Sequence, residues 1–147
     1  MIYSWQELSQ QVETNVNSFD FSGKPNELYD PISYTMTLGG KRIRPTLCLL
    51  AAQLFGGDLT KAMNVAMAVE VFHNFTLVHD DIMDEAPIRR GKPAVHAKWN
   101  RDIAILSGDV MLVQAYQLLA KGNPERLSEI LTVFNQTAIE VCEGQQF

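Results

Sequence analysis

The chain has 147 residues and a mass of 16.5 kDa, the size of one ordinary domain or of half a larger one. Hydrophobic residues make up 46% and charged residues 20%, and with 9 glycines and 6 prolines the composition excludes disorder, collagen and a small disulfide scaffold. The formal net charge of −5 argues against general nucleic-acid binding.

A first helix is predicted from Trp5, Leu8, Val12, Val16 and Phe19, whose spacings of 3 and 4 give one apolar stripe. Ser22 to Asn26 break it, and a short second helix is expected over Leu28 to Leu38. Gly39-Gly40 read as a loop, and Pro45 suits the first turn of a third helix, where its missing N–H costs nothing. That helix carries Leu47, Leu50, Ala51 and Leu54 and stops at Gly56-Gly57. Asp58 is the expected N-cap of a fourth, from about Leu59 to Met83. Met63, Val65, Ala66, Met67, Ala68, Val69, Val71, Phe72 and Phe75 surround it on almost every face, so it should be central. Pro87 closes that region and Ile88 to Pro93 read as a loop. A fifth helix shows Ile103, Leu106, Val110 and Val113 and ends near Gly122. Asn123-Pro124-Glu125 should start a sixth, with Asn123 as N-cap, carrying Leu127, Ile130, Leu131, Phe134, Ala138 and Val141 through to Phe147. No strand-like alternation occurs, so the fold class is all-α.

Cys48 and Cys142 lie far apart in apolar stretches with no CxxC pair, which predicts two buried thiols in a reducing compartment. The first basic residue is Lys24, giving no charged start to a signal peptide. No run approaches the ~18 consecutive apolar residues that a membrane span requires. These features predict a soluble, cytoplasmic protein.

Charge is distributed in blocks. Lys41 to Arg44 is basic, Asp80 to Glu85 acidic, and Arg89 to Arg101 basic again. Such blocks beside the most apolar part of the chain suit a polyanion held partly by metal and partly by Arg and Lys. On the fourth helix, residues three, four and seven apart share a face, so His73, Leu77, Asp80 and Asp84 line up with Asp81 beside them. Oxygen-only ligands suit a hard cation, and Mg²⁺ commonly shares its shell with substrate phosphates. An isolated DDxxD also fits a solvated acidic helix end. The basic blocks favour the site: Lys41 and Arg44 stand at a loop-to-helix junction that attracts anions, and the Arg89 and Arg90 guanidinium forks match phosphate oxygens.

Together these segments resemble the trans-isoprenyl diphosphate synthases (polyprenyl synthetases). Gly39-Gly40-Lys41-Arg42-Ile43-Arg44-Pro45 resembles that family's isopentenyl diphosphate loop. His79-Asp80-Asp81-Ile82-Met83-Asp84 with Arg89-Arg90-Gly91-Lys92-Pro93 resembles its first aspartate-rich motif and arginine pair, and Val71-Phe72-His73 and Gly108-Asp109 also fit. The resemblance implies an antiparallel all-helical bundle, usually a homodimer, that condenses isopentenyl diphosphate with an allylic diphosphate (dimethylallyl, geranyl or farnesyl). Asp80, Asp81 and Asp84 would hold Mg²⁺ for the allylic diphosphate with Arg89, while Lys41, Arg44, His73 and Arg90 would hold isopentenyl diphosphate. Phe75 and Thr76 match the positions that set chain length; one aromatic followed by a small residue is most similar to geranylgeranyl synthases, with farnesyl synthases second. Phe72 and Phe75 are candidates to wall the apolar cavity, a role compatible with plain core packing.

The family's second aspartate-rich motif and later lysines do not occur in residues 1–147. The chain is therefore read as the N-terminal part of a single isoprenoid synthase domain, inactive alone, with Gly144 to Phe147 resembling the stretch before the continuation. The alternative is a non-catalytic partner subunit of a prenyl synthase. His79 reads as an oriented neighbour of the aspartates rather than a ligand, and His96 carries no assigned role. No GxGxxG, Walker, GxSxG or zinc pattern is present.

Overall fold

The computed structural model describes residues 2–146. Among them α1 spans Trp5–Ser18, α2 Asn26–Thr37, α3 Ile43–Leu54, α4 Leu59–Met83, α5 Val95–Lys98, α6 Arg101–Gly122 and α7 Leu127–Gly144. Between α4 and α5 lies a small hairpin, β1 (Ile88–Arg89) antiparallel to β2 (Lys92–Pro93), and a 3₁₀ turn at Pro124–Arg126 precedes α7. The all-α expectation holds.

Local chemistry sets several boundaries. Ser4 and Glu7 form a reciprocal capping box at α1: Glu7 N donates to Ser4 Oγ at 3.3 Å, and Ser4 N donates to Glu7 Oε2 at 2.7 Å. The predicted α1 stripe buries Leu8, Val12 and Val16. Asp58 caps α4 as expected, accepting from the backbone N–H groups of Thr60 and Lys61. Asn100 caps α6 by accepting from Ile103 N at 2.8 Å. α4 is central and touches α1, α2, α3, α5 and α6.

The facing of two helices differs from the sequence expectation. On α3 the buried residues are Pro45, Thr46 and Leu49, whereas Leu47, Ala51 and Leu54 are exposed. On α6 Leu106 and Val113 are exposed, and the buried residues include Ala104, Ser107, Gly108, Met111, Ala115, Leu118 and Leu119. On α6 the reason is steric. A Cβ at Gly108 would overlap the His79 imidazole, so close approach of α6 to α4 selects small residues that hydrophobicity patterns undervalue. α6 is also the one described helix long and apolar enough to cross a membrane by length and composition; here it lies against α4.

Other corrections are local. Ile88 to Pro93 is a hairpin rather than a loop, turning through Arg90 and Gly91 with φ of 52° and 74°. Two consecutive positive φ values belong to the tight turns that match hairpin twist. Strands of two residues are too short to show alternation. The four-residue α5 lacks enough length for periodicity, and the sequence reading did not anticipate it. Asn123 precedes the 3₁₀ turn but makes no side-chain cap bond, and its Oδ1 is buried without a partner. α7 ends at Gly144; along its predicted stripe Phe134 is half-buried and Val141 exposed, while Phe147 lies outside the described residues. Both cysteines are free thiols, but only Cys48 is partly buried, which raises its pKa; Cys142 is exposed.

Candidate active site

The loop between α2 and α3 and the middle of α4 enclose a cationic cavity of about 490 Å³. Lys41 and Arg44 come from the loop and the start of α3, His73 from α4, and Arg90 from the hairpin turn; all four line this one cavity. Gly40 makes the convergence sterically feasible. Its φ is 156°, and a Cβ there would stand 3.2 Å from Arg90 Cζ, tighter than ordinary contact. Arg90 donates to the Gly39 carbonyl and, at 3.4 Å, to Asn74 Oδ1. Arg44 lies 3.4 Å from His73 Nε2. Arginine can only donate, so a hydrogen bond here requires Nε2 to accept and the imidazole to be neutral. Burial, then the Arg44 charge, hold the His73 pKa below its ordinary value. Partial burial and the nearby Arg42 charge likewise lower that of Arg90. These cations are short of counter-charge, a state that favours an incoming anion.

Arg42 differs from its neighbours in the basic block. Its backbone is left-handed, with φ 47° and ψ 34°, and its side chain turns into the core. There Nε donates to Glu13 Oε2 at 2.8 Å, one terminal nitrogen to Glu70 Oε1 at 2.6 Å, and the other to the Met36 carbonyl at 2.9 Å. Burial opposes the charge, but the two carboxylates outweigh it and raise the Arg42 pKa.

The C-terminal end of α4 carries the carboxylates. Asp81 is buried and accepts from two Arg89 nitrogens, its Oδ1 lying 3.0 Å from Nε and 2.5 Å from a terminal nitrogen and its Oδ2 3.2 Å from Nε. The hydrogen bond to Asp81 raises the Arg89 pKa. Asp80 Oδ2 lies 3.8 Å from the same guanidinium, and Oδ1 accepts from Gln145 Nε2 at 2.5 Å. Asp84 is the exposed C-cap of α4. Among the described residues no three His, Cys, Asp or Glu side chains are gathered closely enough to hold a metal ion. The expected trio is thus divided: Asp80 and Asp84 stand one turn apart, while Asp81 is committed to Arg89. The donor chemistry nevertheless fits Mg²⁺, which is commonly held by one or two carboxylates plus substrate phosphates.

Beneath the carboxylates runs an aromatic wall. Phe75 packs edge-on against His79 at 4.8 Å, Phe72 lies 5.6 Å from Phe75, and Phe134 of α7 meets Phe72 at 5.0 Å. Thr76 donates to the His73 carbonyl at 2.7 Å. Further toward the start of α4, Val65, Val69 and Phe72 with Ile130, Val133 and Phe134 of α7 line an open, mainly apolar cavity of about 610 Å³. His79 Nε2 meets the Ile105 carbonyl at 3.1 Å, a contact that orients its ring. His96 meets the Ala86 carbonyl at 2.8 Å and so ties α5 to the loop after Asp84. Sequence reasoning missed Glu70, Asn74 and Gln145. Glu70 and Asn74 had a usable signal, being polar residues one turn apart within the most apolar helix. Gln145 had none.

Fold and site together define an all-helical protein with a cationic cavity two turns from a carboxylate-rich helix end. The sequence model of the Polyprenyl synthetase family matches residues 25–147, and the chain belongs to that family. It is 47% identical over 124 residues to a geranylgeranyl diphosphate synthase of Methanosarcina mazei, covering 83% of this chain and 38% of that protein. To a geranylgeranyl diphosphate synthase of Sulfolobus acidocaldarius it is 40% identical over 145 residues, or 96% of this chain and 44% of the relative. A crystal structure of a geranylgeranyl pyrophosphate synthase superposes with a TM-score of 0.93 at 47% identity, covering 99% of this chain and 44% of the other. Geranyltranstransferase from Thermotoga maritima gives 0.85 at 34% identity, covering 98% and 54%. The chain thus spans about two-fifths of the length of the curated relatives it matches.

Proposed function

We propose that the chain is the N-terminal part of a single-domain trans-prenyltransferase. The enzyme condenses an allylic diphosphate head-to-tail with isopentenyl diphosphate to a short-chain polyprenyl diphosphate, with geranylgeranyl diphosphate favoured and farnesyl second. One observation carries the reading: Lys41, Arg44, His73 and Arg90 meet in one cavity, and about 10 Å of helix separates His73 from Asp80. Two anion sites at that spacing suit two diphosphates whose prenyl carbons must meet.

Lys41, Arg44, His73 and Arg90 hold isopentenyl diphosphate, neutral His73 donating through its other ring nitrogen. Mg²⁺ would be held by Asp80 and Asp84, with Asp81 joining them only on release from Arg89, and would neutralise charge that builds on the allylic diphosphate as its C–O bond ionises. The Asp81 carboxylate and Arg89 work as a unit, Arg89 presenting donors to the departing diphosphate while Asp81 fixes its plane. Phe72 and Phe75 keep water from the allylic carbocation, which water would quench. The working enzyme is a homodimer in the cytoplasm; the free thiol of Cys48 suits a reducing compartment. The intact cationic and acidic sets favour catalysis over a purely non-catalytic subunit.

The test is condensation with Mg²⁺, isopentenyl diphosphate and allylic substrates. The 147-residue chain alone should give no product above background, and an active synthase carrying this sequence should give geranylgeranyl diphosphate. Asp80→Ala in that synthase should lower turnover by roughly 10²–10³, the range for losing one transition-state electrostatic contact. Wild-type turnover in the variant would sink the assignment.

A further inference from the structure

Three buried polar side chains at the cationic cavity have no part in the proposed function: Arg42, 3% exposed, and Glu70, 2%, in its lining, and Asn74, 0%, beside them. Buried charge and amide persist when every polar atom finds a partner, and here the partners lead back to the cavity. Glu70 Oε1 is the node. It accepts from Arg42 at 2.6 Å and from Asn74 Nδ2 at 3.2 Å. Asn74 Nδ2 also donates to the Glu70 backbone carbonyl at 2.8 Å. With its amide nitrogen committed to Glu70, Asn74 turns Oδ1 the other way, where it accepts from Arg90 at 3.4 Å. The reverse amide orientation would set two donors face to face.

The second arm runs through the loop. Arg42 has all three guanidinium nitrogens engaged, on Glu13, Glu70 and Met36. Its carbonyl accepts from Thr46 Oγ1 at 2.6 Å, fixing the first turn of α3. An arginine so committed cannot also serve a ligand, yet it anchors the segment that presents Lys41 and Arg44. Glu70 is the one carboxylate lining the cavity, set against Lys41, Arg42, Arg44 and Arg90.

We propose that Glu70 and Asn74 are positioning residues for the diphosphate cavity: Glu70 holds the Lys41–Arg44 loop through Arg42, and Asn74 relays Glu70 to Arg90 and sets the direction of its guanidinium. The proposal deepens, and rests on, the reading of this cavity as a diphosphate site. Preorganised donors bind an anion more tightly than donors that must be ordered on binding.

The experiment is calorimetric titration of the chain with inorganic pyrophosphate, without divalent metal, so that the carboxylate end contributes no metal-bridged binding. Arg90→Ala and Asn74→Ala should each weaken binding by about tenfold, the effect of one hydrogen bond to a charged group. The decisive result is the double variant. If Asn74 acts through Arg90, Asn74→Ala adds no further loss in the Arg90→Ala background, which general loosening of the fold would not produce. Unchanged affinity in Asn74→Ala, or losses that add, overturns the relay. Thermal melts check that each variant is folded. Should Asn74→Ala not fold, Glu70→Gln, which keeps side-chain volume, replaces it, and its loss must shrink in the Arg90→Ala background. Absence of binding by the unaltered chain would overturn the diphosphate reading itself and the proposal with it.

Discussion

Arg89 grips Asp81 with two nitrogens, at 3.0 Å and 2.5 Å, across the gap between the hairpin and the end of α4. The carboxylate is buried and the guanidinium only partly so, its side chain being 31% exposed. Removing the arginine strands a desolvated charge. Arg89→Ala should destabilise the chain by about 1.5–3 kcal/mol, the range for hydrogen bonds to charged groups. Asp81→Asn should cost a similar amount, and the double variant less than the sum, because the two residues share one interaction. Urea denaturation of the four proteins checks this; additive losses would mean that the pair contributes nothing to stability.

Adjacent arginines on the hairpin turn face different groups. Arg89 lies with Asp81 and Asp80, whereas Arg90 lies with Gly39 and Asn74 beside the cationic cavity. In an active synthase carrying this sequence, Arg90→Ala should chiefly raise KM for isopentenyl diphosphate. Arg89→Ala should weaken the allylic substrate or slow its ionisation. Steady-state kinetics varying each substrate in turn separate the two, and equal effects of both variants on both substrates would count against distinct roles.

How much of this was legible in the sequence depends on what produced each feature. α4 was readable because Asp58 starts it with side-chain chemistry, apolar residues surround it from Met63 to Phe75, and Pro87 closes the region. The facing of α6 was not, since Gly108 and Ala104 earn their positions by being small where His79 and α4 come close. Lys41, Arg44, His73 and Arg90 come from three separate segments, so motif resemblance could name them but spacing alone could not unite them. Arg42 shows the limit most plainly. Nothing local separates it from Lys41 or Arg44, and its burial depends on Glu13 and Glu70, 29 and 28 residues away in sequence.

His73 offers a pH signature. Its folded pKa lies below the ordinary value through burial and the Arg44 charge, so the folded state binds this proton less readily than the unfolded one. Stability from this group is therefore unaffected above the unfolded value of about 6.5 and declines as pH falls through it toward the lowered folded value. Imidazole resonances followed by NMR, assigned by their loss in His73→Gln, should titrate below those of an unstructured histidine. Pyrophosphate in the cavity should move the His73 midpoint upward, because the anion stabilises the protonated ring. A midpoint unmoved by saturating pyrophosphate would place the anion elsewhere.

Under the proposed function, the aromatic wall would limit product length. Phe75 lies five residues before Asp80, about 7–8 Å along the helix at its usual rise per residue, and one turn nearer to it than Phe72. Beyond Phe72 opens the apolar cavity of about 610 Å³ lined by Val65, Val69, Ile130 and Val133. A prenyl chain growing from the proposed diphosphate end would meet the Phe75 ring before reaching that space. Thr76 beside it is small, and its hydroxyl is occupied by the His73 carbonyl, so it presents little obstruction. Phe75→Ser removes the ring while leaving Phe72 paired with Phe134. In an active synthase carrying this sequence, the variant should shift the product mixture from geranylgeranyl diphosphate toward longer chains, with each added isoprene unit bringing the chain end nearer to that cavity. Replacing Phe72 as well by Ala should lengthen products further, since it opens the remaining side of the same path. Chromatography of the dephosphorylated alcohols measures the distribution directly. An unchanged distribution in an active Phe75→Ser enzyme would show that the stop to elongation lies on another helix.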